Sequence, residues 1–137
     1  MKKPTKSELA TSLAQVPMFS RCSARDLRIV ARHAEMVTVP AGTAIVTKGD
    51  EGDTFYLLLA GAAEVDGSRL GPGAHFGELS LLDPAPRSAT VVLTEDSVLA
   101  VLSVRMFRVL LRDLPQLSFG MLGSLAAQLR EARRHEA

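Results

Sequence analysis

The stretch "HFGELSLLDPAPRSATV", residues 75–91, sets an acid, Glu78, and a base, Arg87, nine residues apart in an otherwise apolar setting. Charged groups in such surroundings need partners. Two arrangements supply them: a mutual salt bridge, or opposite ends of one ligand. Gly77-Glu78-Leu79 reads as the start of a short helix, whose first amides lack acceptors within the helix and suit an anion. Gly77 lets a ligand approach the main chain closely. Arg87 offers a planar fork of donors matched to a phosphate. Glu78 is acceptor-only, unsuited to phosphate but suited to a sugar hydroxyl. Phosphate at one end and ribose at the other describe a nucleotide, and this logic leaves open which one.

Before this stretch the chain reads as β. From Glu35 onward, short β-branched runs are broken by turn residues every few positions. Pro40-Ala41-Gly42, Gly49-Asp50-Glu51-Gly52-Asp53 and Gly71-Pro72-Gly73 are turns, and Asp66-Gly67 is a tight hairpin turn. The carboxylates at 50, 51 and 53 read as turn formers framed by Gly49 and Gly52 rather than calcium ligands. After the stretch, "ATVVLTEDSVLAVLS" gives two strands joined at Glu95-Asp96. Short strands at this spacing predict a small barrel or jelly roll.

Helices flank the β region. Ser7 is placed to cap a first helix carrying Leu9 and Leu13, ending near Pro17, and Ser23 with Asp26 starts a second. Ser103 caps a third that stops before Pro115. From Pro115 a last helix puts Leu117, Met121, Leu125 and Gln128 on one stripe, read as domain core. Gly120 and Gly123 each weaken it by roughly 1 kcal/mol relative to alanine. The expected organisation is one domain over 1–137: N-terminal helices about 7–34, a β-roll about 35–103 and C-terminal helices about 104–134.

Composition narrows the function classes. Hydrophobic residues make up 47% and charged residues 23%, which predicts a folded chain. Sixteen basic and 15 acidic residues leave a net charge of +1, so no direct nucleic-acid partner is expected. A single cysteine, Cys22, fits a reducing compartment and reads as structural. No run is long enough for a signal peptide or membrane span, which makes the expected location cytoplasmic. With three histidines and no CxxC or HExxH spacing, no metal is expected, and no nucleophile–base pair suggests an enzyme. His75 reads as a solvated turn residue, and His33 and His135 as helix-surface residues.

"FGELSLLDPAPRSATV" resembles the phosphate-binding cassette (residues 76–91) of the cyclic nucleotide-binding domain. That domain is found in catabolite activator proteins, protein kinase A regulatory subunits and cyclic-nucleotide-gated channels. "KGDEGDTFYLLLAGAAEV" looks like the family's glycine-framed hairpin, and "VPMFSRCSARDLRIVARHAE" its N-terminal helical segment, so the resemblance covers roughly residues 8 to 134. It implies a mainly β fold, a β-roll with N-terminal helices and a C-terminal lid helix. It implies that Arg87 pairs with a cyclic phosphate, helped by amides at Gly77, Leu79, Ser88 and Ala89, and that Glu78 takes the ribose 2′-hydroxyl. Ser88 would touch the phosphate or a guanine amino group, and Arg130, Arg133 and Arg134 on the lid would meet the base.

The resemblance further implies a cytoplasmic sensor of cAMP rather than cGMP, with no cofactor beyond that ligand. Its output would pass to an unidentified protein effector, or to a second copy through the C-terminal helix. The alternatives are a transcription-regulator relative without its own DNA-binding part, since the chain stops after the lid helix, and a structural domain that no longer binds ligand. The segment from Glu64 to Leu70 is shorter than the family's hairpin, a trim expected to fall far from the ligand.

Overall fold

The strand that organises the molecule is β3, Thr54–Ala60, read as TFYLLLA. It is apolar without alternation because both of its faces are covered. Phe55 and Leu57 join a core shared with the helices, with Leu59 packed against it, whereas Leu58 and Tyr56 face a second core between two sheets. The computed structural model describes the backbone of residues 1–136 and the side chains of residues 1–134, so the reading of His135 lies outside the described side chains.

The sheets are antiparallel and four-stranded. One runs β1-β8-β3-β6 and the other β2-β7-β4-β5. Their strands are β1 Glu35–Val39, β2 Ala44–Val46, β4 Ala63–Val65, β5 Ser68–Leu70, β6 His75–Phe76, β7 Val91–Leu93 and β8 Ser97–Ser103. This is the expected jelly-roll-type β-roll. Val46, Leu58, Ala63, Val91, Leu93 and Leu99 fill the space between the sheets. The β4–β5 hairpin turns at Asp66-Gly67, where both residues have positive φ (49° and 80°), as the sequence requires. Strands β7 and β8 flank Glu95-Asp96 but lie in different sheets.

The helices close the outer face of the first sheet. They are α1 Lys6–Ala14, α2 Ala24–His33, α3 Val104–Asp113 and α4 Pro115–Glu136, with a 3₁₀ turn at Pro17–Phe19. Phe19 meets Phe55 edge-on at 5.9 Å and Phe107 at 6.1 Å, tying the first turn to β3 and to α3. Ser23 and Ser103 cap α2 and α3 as expected. The cap of α1 is Thr5, not Ser7: Thr5 Oγ1 accepts from the Glu8 amide and the Glu8 carboxylate accepts from the Thr5 amide, a complete reciprocal box. Spacing favours Thr5 because Glu8 stands three residues on, whereas Ser7 has Ala10 there.

The helix α4 lies against the Pro17–Cys22 segment, with Leu117 and Met121 buried and Leu125 packed on the core, as its stripe predicts. Ser124 Oγ accepts from the Arg21 amide at 3.2 Å. Cys22 is half-buried with its thiol pushed up to about 11, chiefly by burial, so it stays protonated and inert. Gly120 is more than a weak helix residue. A Cβ there would meet Arg21 O at 2.9 Å and Cys22 Cα at 3.0 Å, so the glycine is what allows close docking. At Gly123 a Cβ would meet only the flexible Arg21 Cδ at 3.4 Å.

Gly123→Ala should therefore raise stability by roughly 0.5–1 kcal/mol through helix propensity. Gly120→Ala should lose that gain, because main-chain atoms must move to admit the methyl group. Urea unfolding of both variants checks this, and equal stabilisation would refute the docking role of Gly120.

Candidate functional site

Arg87 is held from three sides. Its Nη2 donates to the Thr54 carbonyl at the start of β3. Its own amide donates to Asp50 O at 2.8 Å, and its carbonyl accepts from the Gly49 amide at 2.9 Å. Two glycines make room for the side chain. A Cβ on Gly52 would stand 2.4 Å from Arg87 Nε, and one on Gly77 2.0 Å from Nη1. The guanidinium thus occupies a slot that only hydrogen-sized side chains leave open. Gly77 also has φ +84°, a conformation that other residues resist. Gly52 does not have a positive φ, so its role differs from the turn-former reading: the arginine, not the backbone, requires it.

Glu78 sits one residue past the Gly77 reversal and precedes a 3₁₀ turn, Leu79–Leu81, where a short helix start was expected. Its carboxylate is paired with His75, Nδ1 to Oε2 at 3.1 Å, and not with Arg87. This hydrogen bond is the first cause holding the Glu78 pKa below its ordinary value, with burial opposing it. Glu78 is therefore an ionised acceptor at neutral pH. His75 is not the solvated turn residue its sequence context suggested. It belongs to β6, is only 25% exposed and faces the same cavity. The i,i+3 spacing across Gly77 was the available signal, because a left-handed glycine folds the chain back on itself.

That cavity, of about 420 Å³, falls in the range of small-molecule sites. Gly77, Glu78, Leu79, Arg87, Ser88 and Ala89 all line it, so the structure brings together the six cassette residues singled out from the sequence. Among the described residues, no intrachain hydrogen bond uses the amides of Leu79, Ser88 or Ala89; the turn's own bonds start at Ser80, Leu81 and Leu82. Guanidinium donors and idle amides on one wall can bind an oxyanion, and the carboxylate beside them can accept from a hydroxyl. Val65 and Leu70 from the β4–β5 hairpin also line the cavity. The shortened hairpin thus contributes to the site, through Val65 and Leu70, instead of lying far from it.

Arg130, Arg133 and Arg134 are not brought to this cavity. All three are exposed near the end of α4, and Arg134 pairs with Glu131 at 3.1 Å. Among the described residues, none of α4 lines the pocket.

Two four-stranded antiparallel sheets with a helical layer on the first, and a pocket lined by the cassette, define a jelly-roll-type β-roll domain with a small-molecule-sized site. The cyclic nucleotide-binding domain family matches residues 36–113, more than half the chain, and the chain belongs to that family. It is 41% identical over 101 residues to a cAMP-dependent protein kinase regulatory subunit of Yarrowia lipolytica, covering 70% of this chain and 27% of that protein. It is 32% identical over 126 residues to the Cyclic AMP receptor protein of Thermus thermophilus, covering 85% and 58%. The chain therefore spans between about a quarter and three-fifths of these relatives' lengths. The N-terminal domain of a transcriptional regulator from Streptomyces coelicolor A3(2) superposes with a TM-score of 0.81 at 26% identity, covering 90% of this chain and 93% of that one. No helix among the described residues is long and apolar enough to cross a membrane.

The slot makes a prediction independent of any ligand. Gly52→Ala should destabilise by about 1–3 kcal/mol, because the added methyl group overlaps the arginine. Combined with Arg87→Ala, most of that cost should vanish, giving a coupling above about 0.5 kcal/mol in a double-mutant cycle. Additive costs would show that Gly52 and Arg87 do not compete for the same space.

Proposed function

We propose that the chain is a non-enzymatic sensor of a cyclic mononucleotide, taking cAMP in preference to cGMP. One observation carries this reading. Arg87 and Glu78 line the same pocket, yet each is held by another group, Arg87 by the Thr54 carbonyl and Glu78 by His75, instead of neutralising the other. The mutual salt bridge, the bland alternative for such a pair, is not formed among the described residues. In this reading the cyclic phosphate lies on Arg87 and the amides of Leu79, Ser88 and Ala89, and the ribose 2′-hydroxyl donates to Glu78. The preference for cAMP is supported by the names of the Yarrowia and Thermus relatives, both of which specify that nucleotide.

The output proposed is repositioning of α4. Leu79 is 61% exposed, although it lies on the pocket wall. Phe119, Leu122 and Leu129 are also exposed along α4. These unpaired apolar groups give the helix an alternative contact when a purine fills the pocket, with Arg130, Arg133 or Arg134 stacking on the base. A ligand shifts such an equilibrium only by its differential affinity for the two arrangements. The helix so released or recruited would be read by a protein effector or by a second copy of the chain.

Calorimetric titration with cAMP and cGMP tests the reading. Arg87→Leu should weaken binding by about ten- to hundredfold, the worth of one charge-assisted contact. Glu78→Gln should cost less, since an amide oxygen still accepts a hydroxyl. Ser88→Ala should weaken cGMP selectively if the hydroxyl meets the base, and both nucleotides equally if it serves the phosphate. Unchanged affinity in Arg87→Leu would remove the phosphate assignment. For α4, amides from about 122 to 134 should change their hydrogen-exchange protection on saturation with nucleotide. Identical protection with and without nucleotide would exclude this helix as the output.

A further inference from the structure

The pocket holds two acids and one permanent base. Glu78, Asp83 and Arg87 line it, giving a net charge of −1 before any histidine is counted. A cyclic phosphate diester is itself a monoanion, so it must enter a cavity of its own sign. The remaining ionisable group of the lining is His75, and it already touches one of the acids at 3.1 Å.

The chemistry of that contact fixes the tautomer. An ionised carboxylate only accepts, so Nδ1 must carry a proton toward Glu78 Oε2. The proton that comes and goes is then the one on Nε2. Among the described residues of the lining, Arg87 is the only other cation. The strand β3, paired with β6, places Leu57 opposite His75 and Tyr56 opposite Phe76, and neither side chain is a basic group. The β4–β5 hairpin contributes Val65 and Leu70 to the lining, and the cassette contributes Glu78, Asp83 and Arg87. The Leu79–Leu81 turn carries no ionisable side chain.

We propose that His75 is a positioning residue for the ligand, holding the Glu78 carboxylate toward the ribose hydroxyl and supplying, when protonated, the second cation that lets an anion settle beside two acids. The inference rests on the cyclic nucleotide reading given above. With imidazolium present the pocket is neutral, and with neutral imidazole it is not. Binding of the anion and protonation of His75 therefore favour each other. The sign follows: affinity is higher where the imidazole carries its Nε2 proton and falls as rising pH removes it. On the acid side the gain persists until Glu78 protonates, which its bond from His75 defers to below the ordinary carboxylate range.

The test is calorimetric titration of the full chain with cAMP from pH 5.5 to 8, using wild type, His75→Asn and His75→Phe. Asparagine keeps an N–H near the Nδ1 position but carries no charge; phenylalanine keeps ring volume and loses the donor. Wild type should bind roughly three- to tenfold more tightly at pH 5.5 than at pH 8, with net proton uptake in buffers of different ionisation enthalpy. His75→Asn should match wild type at pH 8 and show a flat profile. His75→Phe should bind more weakly at every pH and discriminate less between cAMP and its 2′-deoxy analogue. A flat wild-type profile, or a slope retained in His75→Asn, would overturn the charge role; unaltered 2′-deoxy discrimination in His75→Phe would overturn the positioning role. Absence of cAMP binding at every pH would instead overturn the nucleotide reading, and this inference with it.

Discussion

The fit of the Arg87 guanidinium between Gly52 and Gly77, with the Thr54 carbonyl behind it, is the constraint around which the rest of the site is arranged. A half-buried cation has to be paired or hydrogen-bonded, or it costs more than it contributes. Here one donor is satisfied by the main chain, which fixes the fork without neutralising it. Satisfying it with Glu78 would have been easier chemically and would have discharged both groups. Because a carbonyl serves instead, the positive charge remains on the pocket wall.

That arrangement draws on elements far apart in sequence. Thr54 opens β3, the strand buried on both faces, so the carbonyl that anchors Arg87 is as fixed as the core itself. The 49–52 turn zips onto residues 85–87 through the Gly49, Gly52 and Arg87 amides. Glu51 and Pro86 form a further bridge there. The loop carrying the cassette is therefore ordered by the sheet on one side and by this turn on the other. Rigidity of this kind lowers the entropy that ligand binding must otherwise overcome.

What was legible in the sequence was local. The Asp66-Gly67 hairpin, the Ser23 and Ser103 caps, the proline start of α4 and the spacing of Glu78 to Arg87 each depend on residues within about a dozen positions. The two-sheet roll followed from short strands with frequent turns, sharpened by the family resemblance. What escaped were contacts between elements distant in the sequence. That Gly52 yields its Cβ volume to Arg87, that Val65 and Leu70 wall the pocket, and that Gly120 seats α4 on Cys22 cannot be read from flanking residues. His75 lay between these cases, visible as an i,i+3 neighbour of Glu78 only once the Gly77 reversal was taken seriously.

The same distinction runs along α4, whose two halves are docked to different degrees. Its buried half, Leu117 to Ser124, is tied to the first turn by apolar packing, by Gly120 against Cys22 and by the Arg21–Ser124 hydrogen bond. Beyond Ser124 the side chains are progressively exposed, and from Gln128 to Arg134 all are at the surface. The part of α4 that bears the arginines thus buries little against the domain in this arrangement. In the proposed repositioning, moving this part would forfeit few contacts, with the docked half left in place. Under the proposed output, a ligand would redistribute the helix only by its differential affinity for the two arrangements, and the small burial of the distal half is what would keep the opposing free energy low.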